Sequence, residues 1–125
     1  MKLLLDTQIY LWLNADDARL STQARRMIEE AQDVFVSATS FWEAAIKISK
    51  GALDARLVDL RAAMHANGFT ELPITIEHAC AVESLPWHHK DPFDRMLVAQ
   101  AMTEPLHLLT ADRQLVAYSK LVIQA

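Results

Sequence analysis

Four acidic residues are the strongest candidates for chemistry in this sequence, because each lies beside a segment with a regular pattern. Asp6 and Asp112 each directly follow an apolar run of strand length, and Glu43 and Asp94 lie in the predicted first turns of two helices. Carboxylates brought close together raise one another's pKa unless a cation neutralises them. Oxygen ligands without cysteine suit Mg²⁺ or Mn²⁺, so the four acids predict metal-assisted hydrolysis of a phosphodiester.

The elements that position these acids alternate between strands and helices along the chain. Strands are predicted at residues 2–5, 34–37, 71–74, 106–109 and 121–124. Helices are predicted at residues 7–14, 21–32, 40–50, 57–67, 75–85, 91–103 and 113–118. Pro73 confines the third strand to a sheet edge. This alternation predicts an α/β fold with a parallel sheet and right-handed crossovers.

A parallel sheet would bring the acids to one edge. Ligands of open α/β sheets bind at the carboxyl ends of the strands. Asp6 and Asp112 follow strands and therefore lie at that edge, and Glu43 lies at the start of the helix after the second strand. The position of Asp94 is less constrained, because the strand before its helix is poorly defined.

Helix capping is the alternative explanation for each acid taken singly. Ser40 and Glu43 match the capping-box spacing, and Asp91 before Pro92 is a good N-cap with Asp94 favoured by the helix dipole. The two remaining acids could each cap the short helix after them. Capping does not require acids from four separate segments to fall on one sheet edge, so together they favour a cation site.

Length and composition indicate an ordinary globular protein. The 125 residues correspond to a single domain, residues 1–125, with 52% hydrophobic and 22% charged residues. A formal net charge of −4 argues against binding nucleic acid through bulk positive charge, although it does not exclude a nuclease that loads cations. No apolar run has the length of a membrane span or a signal peptide, so a soluble, cytoplasmic protein is predicted.

Several other residues carry weaker predictions. The single cysteine, Cys80, is predicted to be a small buried thiol. His88 and His89 precede the acidic helix in a loop and are predicted to face solvent or RNA rather than a metal. Arg95 could form a salt bridge with its neighbour Asp94 or contact substrate. The basic residues after Glu43 could form a solvated helix face or a phosphate-positioning rim; they are Lys47, Lys50, Arg56 and Arg61.

Four segments together resemble a known family. They are LLLDT (residues 3–7), SFWE (40–43), HKDPFDR with LVAQA (89–95 and 97–101) and LTAD (109–112). Their order and spacing, over essentially the whole chain, resemble the PIN domains and more narrowly the VapC-type toxins of bacterial toxin–antitoxin pairs. The resemblance implies a three-layer α/β/α sandwich with a central, mostly parallel sheet. It also implies an Mg²⁺- or Mn²⁺-dependent endoribonuclease that forms a homodimer and is restrained by an antitoxin.

The resemblance also assigns roles to single residues. The four acidic positions of the family match the acids Asp6, Glu43, Asp94 and Asp112. Thr110 matches a hydroxyl residue that hydrogen-bonds within the site, and Thr7 matches a residue that supports it. Asp94 is preferred as the ligand because Pro92 makes Asp91 a good cap, although Asp91 could share or replace that role.

Two further expectations concern partners and rival functions. The aromatic residues Tyr10, Trp12, Phe41 and Trp42 are predicted to pack in the core or against a partner, and their exposed members to help form a dimer or antitoxin surface. A phosphatase with a nucleophilic aspartate needs a second aspartate where this chain has Gln8. The main rival is a PIN-like module that binds RNA or protein without cleavage.

Overall fold

A computed structural model describes residues 1–125, in which strands and helices alternate along the chain. The strands are β1 (Lys2–Leu5), β2 (Asp33–Ser37), β3 (Thr70–Leu72), β4 (His107–Thr110) and β5 (Val122–Gln124). The helices are α1 (Thr7–Asn14), α2 (Thr22–Glu30), α3 (Ala38–Ser49), α4 (Leu57–Ala66), α5 (Ile76–Glu83) and α6 (Pro92–Thr103), with a 3₁₀ helix at Arg113–Tyr118. None of these helices combines the length and apolar character that crossing a membrane requires.

Two apolar clusters, one on each face of the sheet, hold the helices in place. Successive side chains of a strand point to opposite faces. Leu3 and Leu5 accordingly pack in the cluster formed with α1, α2 and α4, whereas Leu4 packs in the cluster formed with α6. All three leucines are fully buried. The predicted three-layer α/β/α arrangement is therefore confirmed.

The order of the strands creates a switch point in the middle of the sheet. All pairs are parallel, and the order is β3-β2-β1-β4-β5. The chain moves from β1 outward to β3 and then returns to add β4 on the other side of β1. Leu5 of β1 pairs with Leu109 of β4. Parallel sheets bind ligands where the strand order reverses, which here is the β1–β4 junction.

The start of α3 differs from the prediction. The helix begins at Ala38 directly after β2, and Ser37 is its N-cap, with its hydroxyl accepting a hydrogen bond from the Thr39 amide at 2.9 Å. Ser40 therefore lies inside the helix, and Glu43 lies in its second turn rather than its first. The capping-box explanation of Glu43 is wrong, because the N-cap is Ser37, three residues before Ser40 and six before Glu43.

Two smaller predictions also need correction. The third strand ends at Leu72, before Pro73, whereas the prediction extended it to residue 74. Cys80 is exposed, not buried. The reason is that α5 buries only His78, and residues two apart on a helix do not share a face.

A buried hydrogen-bond network ties α6 to the start of α3. The Gln100 side chain, fully buried, accepts hydrogen bonds from the hydroxyls of Ser37 at 2.6 Å and Thr39 at 3.3 Å. Its amide nitrogen donates to the Pro73 carbonyl oxygen at 3.3 Å. One glutamine thus satisfies three groups from two other segments and fixes α6 against the carboxyl end of β2.

Replacing this glutamine should destabilise the fold. Gln100→Leu is close in volume but leaves the two buried hydroxyls without their acceptor, so we expect a loss of about 2–3 kcal/mol in the free energy of unfolding. Urea unfolding measures it. Met102→Leu, at a half-exposed position of the same helix, is the control and should stay within about 0.5 kcal/mol of the parent protein. An equally small effect of Gln100→Leu would contradict a stabilising role for the network.

Candidate active site

The four predicted acids meet at the carboxyl edge of the sheet. Asp6 follows β1, Asp112 lies just beyond β4, Glu43 projects from α3, and Asp94 lies in the first turn of α6. They line an open depression of ≈ 310 Å³. The other residues lining it are Thr7, Gln8, Lys47 and Ala111. The structure therefore brings together residues that lie up to 106 positions apart in the chain (112 − 6).

The pairing of β1 with β4 fixes Asp6 relative to Asp112. The Asp6 amide donates to the Leu109 carbonyl oxygen at 3.0 Å, which continues the sheet register past the last residue of β1. The Thr110 hydroxyl donates to Asp6 Oδ2 at 2.5 Å and accepts from the Asp112 amide at 3.0 Å. One hydroxyl thus joins the carboxylate of Asp6 to the backbone of Asp112.

Thr7 supports the site through a different partner. Its hydroxyl donates to Ser40 Oγ at 2.8 Å, and both residues are buried. This bond joins the start of α1 to α3, the helix that carries Glu43. Thr7 therefore joins the segment directly after Asp6 to the helix that carries Glu43.

Glu43 presents a carboxylate oxygen that no protein group satisfies. Its Oε2 lies 3.3 Å from the Lys47 ammonium, one helical turn along α3. Its Oε1 is buried and has no hydrogen-bond partner. An unpartnered buried carboxylate oxygen is costly unless a cation or proton is near it. The donor set at this edge therefore fits a divalent cation with oxygen ligands.

The raised pKa of Asp94 indicates that the site disfavours negative charge. Burial, followed by the charges of Asp6, Asp91, Glu43 and Asp112, raises the pKa of Asp94 to about 8. Burial is also the main cause that raises the pKa of Asp6. Burial and like charges both disfavour the ionised form of a carboxyl group. A bound cation would reverse the second effect and allow all the acids to ionise.

Asp91 and Asp94 have separate positions. Asp91 Oδ1 accepts hydrogen bonds from the amides of Phe93 at 2.8 Å and Asp94 at 3.1 Å, so the predicted N-cap is confirmed. Asp94 lines the depression, whereas Asp91 does not. This geometry favours Asp94 as the ligand.

Helix capping accounts for only part of the arrangement of Asp6 and Asp112. Asp112 Oδ1 accepts from the Gln114 amide at 2.9 Å and caps the 3₁₀ helix, but its Oδ2 faces the site. Asp6 precedes α1 without a side-chain capping bond. The acids therefore do more at this edge than end helices.

His89 lies beside the acids and is largely buried, so the prediction that it faces solvent is wrong. Its Nε2 lies 2.9 Å from Asp112 Oδ2 and 3.7 Å from Asp94 Oδ2, and its side chain is only 16% exposed. His88, by contrast, is exposed as predicted, with its ring against Tyr118. His89 lies two residues before the cap of α6, and its Nδ1 accepts a hydrogen bond from the Asp91 amide at 3.0 Å.

Arg95 does not form the salt bridge with Asp94, one of the two contacts considered for it, and it is only 4% exposed. Its guanidinium donates to the Pro86 carbonyl oxygen at 2.8 Å and to the Tyr118 hydroxyl at 3.1 Å, and it lies 3.8 Å from the Trp87 ring centroid. Arg95 therefore anchors the loop that carries His89.

The basic residues after Glu43 do not all lie near the acids. Lys47 lines the depression and pairs with Glu43. Arg61 instead pairs with Glu71 at 2.7 Å, beside β3 and away from the acids. Of the predicted phosphate-positioning rim, only Lys47 reaches the depression.

Neutralising Asp94 should stabilise the metal-free protein in a pH-dependent way. Its pKa of about 8 lies above the unfolded value near 3.8, so ionisation opposes folding increasingly as the pH rises from 4 to 8. With EDTA present, we expect Asp94→Asn to raise the melting temperature by about 4–8 °C at pH 8 and by much less at pH 4. The gain is no larger because solvent reaches part of the side chain and screens the repulsion. The exposed Asp54→Asn is the control. A gain that does not depend on pH would contradict this account.

Comparison with known proteins shows the family to which the chain belongs. A family profile described as PIN domain matches residues 3–121. Ribonuclease VapC22 of Mycobacterium tuberculosis is 31% identical over 114 residues, which cover 90% of this chain and 88% of that protein. A toxin–antitoxin complex from Klebsiella pneumoniae has a similar fold, with a TM-score of 0.69, 19% identity, and coverage of 98% of this chain and 96% of that one. VapBC2 from Rickettsia felis, solved with a DNA fragment from the promoter, gives a TM-score of 0.73 at 12% identity, with coverage of 100% and 98%. The chain belongs to the PIN-domain family and, within it, to the VapC ribonucleases.

Proposed function

We propose that the chain is a metal-dependent endoribonuclease that hydrolyses RNA phosphodiester bonds at the acidic depression, as the toxin of a toxin–antitoxin pair that inhibits translation. The observation that carries the proposal is the meeting of four carboxylates at the β1–β4 junction, with an unpartnered oxygen on Glu43 and a pKa of about 8 at Asp94. Holding these carboxylates together costs free energy when no cation is bound, and a bound cation offsets that cost.

Some residues of the depression would bind the metal, and another would contact the substrate. Asp6, Glu43, Asp94 and Asp112 would hold Mg²⁺ or Mn²⁺, which supplies a nucleophilic hydroxide and stabilises charge on the leaving oxygen when bound. Thr110 keeps the Asp6 carboxylate in a single orientation through its hydrogen bond. Lys47, 41% exposed, places a positive charge at the rim of the depression, where an approaching phosphate would meet it.

Cleavage should require a divalent metal and should separate Asp94 from Asp91. We expect Mg²⁺ or Mn²⁺ to support cleavage of single-stranded RNA and EDTA to abolish it. Asp94→Asn should lower the cleavage rate by at least about 100-fold, because several kcal/mol of transition-state stabilisation depend on the bound ion. Asp91→Asn should retain most activity, since asparagine is an equally good N-cap. A gel assay with end-labelled RNA measures both.

Other outcomes would favour different interpretations. Cleavage that persists in EDTA would contradict the mechanism. RNA binding without cleavage in either metal would support the rival, a non-cleaving binding module. Activity that survives Asp94→Asn but is lost in Asp91→Asn would transfer the ligand role to Asp91.

We further propose that the chain pairs with an antitoxin and forms a homodimer in the cytoplasm. The support is the similarity to structures described as a toxin–antitoxin complex and as VapBC2, together with an exposed aromatic surface. Trp42 is 58% exposed beside Glu43 and packs edge-on against Phe93, with ring centroids 4.9 Å apart. Trp12, in contrast, is partly buried against the core.

The exposed tryptophan gives a direct test of the antitoxin surface. Trp42→Ala should weaken binding of the antitoxin encoded beside this gene by at least about 10-fold, as truncation of a buried interface tryptophan does. Isothermal titration calorimetry measures the affinity. Ile76→Ala, at a residue 84% exposed on α5, is the control. Unchanged affinity after mutating both Trp42 and Trp12 would contradict the proposal that these tryptophans contact the antitoxin.

A further inference from the structure

The imidazole of His89 links the N-terminus of α6 to the acidic site. Its Nδ1 lies 3.0 Å from the backbone nitrogen of Asp91. A backbone amide can only donate a hydrogen bond, so Nδ1 must be the acceptor. The single proton of the neutral ring therefore lies on Nε2.

The opposite edge of the ring then donates into the site. Nε2–H points to Asp112 Oδ2 at 2.9 Å, with Asp94 Oδ2 at 3.7 Å from the same nitrogen. The other oxygen of Asp112 accepts from the Gln114 amide. Each oxygen of Asp112 thus has one donor, which leaves the carboxylate a single orientation.

The loop that carries the ring is held in place by further hydrogen bonds. The His89 amide donates to the Tyr118 hydroxyl at 2.9 Å, and that hydroxyl also accepts from Arg95 at 3.1 Å. The loop is therefore held on both sides of the histidine, by Tyr118 and by the cap of α6.

We propose that His89 is a positioning residue of the site: locked by the Asp91 amide as the Nε2–H form, it orients Asp112 and places one donor between Asp112 and Asp94. The proposal rests on the proposed metal-dependent function. It excludes His89 as a metal ligand, although ligand atoms of His89, Asp94 and Asp112 lie within 4.8 Å of one another.

The physical reason is the cost of the alternative form of the ring. A metal bound at Nε2 would require the proton to move to Nδ1. Two N–H donors, Nδ1–H and the Asp91 amide, would then point at each other across a nitrogen–nitrogen distance of 3.0 Å. The hydrogen bond between them would be lost. The metal is therefore left to oxygen ligands, consistent with Mg²⁺ or Mn²⁺.

The chain contains a matched control for this arrangement. His78 Nδ1 accepts from the Thr75 amide at 3.0 Å, and its Nε2 lies 2.5 Å from a Glu104 carboxylate oxygen. Like His89, His78 accepts a hydrogen bond from a backbone amide at Nδ1 and has a carboxylate next to Nε2. It lies outside the depression.

Imidazole ¹⁵N spectra of the histidine-labelled protein test the tautomer directly. Both His78 and His89 should give the pattern of a proton on Nε2, assigned by loss of the signals in His78→Gln and His89→Gln. Saturating Mg²⁺ should leave the proton on His89 Nε2 in place. A proton on Nδ1 of His89, or loss of the Nε2 proton when Mg²⁺ or Zn²⁺ binds, would overturn the proposal.

Substitutions test the positioning role by a second readout, Mg²⁺ affinity from calorimetry. His89→Ala should weaken Mg²⁺ binding about 10–100-fold, as loss of a group that orients a ligand does. His89→Gln, whose amide N–H can reach the position of Nε2–H, should restore affinity to within about 3-fold of the parent protein. His78→Gln should leave it unchanged. Equal effects of His89→Ala and His89→Gln would contradict positioning through this donor.

The two proposals fail in different ways. A parent protein that neither binds Mg²⁺ nor cleaves RNA would defeat the proposed function, whatever the tautomer. Should His89→Ala fail to fold, the ¹⁵N spectrum of the parent protein still decides whether Nε2 carries the proton and keeps it when the metal binds.

Discussion

Burial of mutually repelling carboxylates at the β1–β4 junction is the constraint on which the rest of the structure depends. Asp6 is 6% exposed, and the pKa of Asp94 rises to about 8 because burial and four neighbouring acids disfavour its charge. A fold that holds such a cluster must obtain its stability elsewhere. Here the two apolar clusters on the faces of the sheet provide it, with Leu3, Leu4 and Leu5 buried immediately before the first acid.

The acids are held by groups that are not themselves acidic. Thr110 joins Asp6 to the backbone of Asp112. The buried guanidinium of Arg95 holds the loop before α6 through carbonyl oxygens and the Tyr118 hydroxyl. A site whose ligands repel one another needs such fixed donors, because freely rotating carboxylates would turn apart and lose the geometry that a cation requires.

The positions that depend on strand order were the most predictable from the sequence. Asp6 and Asp112 directly follow buried strands, and neighbouring parallel strands must end at the same edge, so their meeting could be predicted without coordinates. For Glu43 the sequence predicts the correct helix and the correct end of it, but the first turn instead of the second. Its position depends on which of two serines caps α3, and the sequence pattern does not distinguish Ser37 from Ser40.

The wrong predictions at His89 and Cys80 and the unforeseen contacts of Arg95 share a physical cause. Each depends on contacts between segments distant in the chain or on which face of a helix is covered, and neither is encoded in local spacing. His89 meets Asp112 across 23 positions, and Arg95 meets Tyr118 across the same separation. Local patterns located the helices and strands, whereas the residues that support the acids became visible only from the packing of the loop before α6.

Proton release on metal binding tests the central claim most directly. At pH 7 a carboxyl group with a pKa of about 8 is mostly protonated, so a cation bound by the four acids must displace that proton from Asp94. Calorimetric titration with Mg²⁺ in buffers of different ionisation enthalpy should show close to one proton released per site in the parent protein and almost none in Asp94→Asn. Binding heat that is independent of the buffer, or no Mg²⁺ binding at all, would contradict a cation site built from these carboxylates.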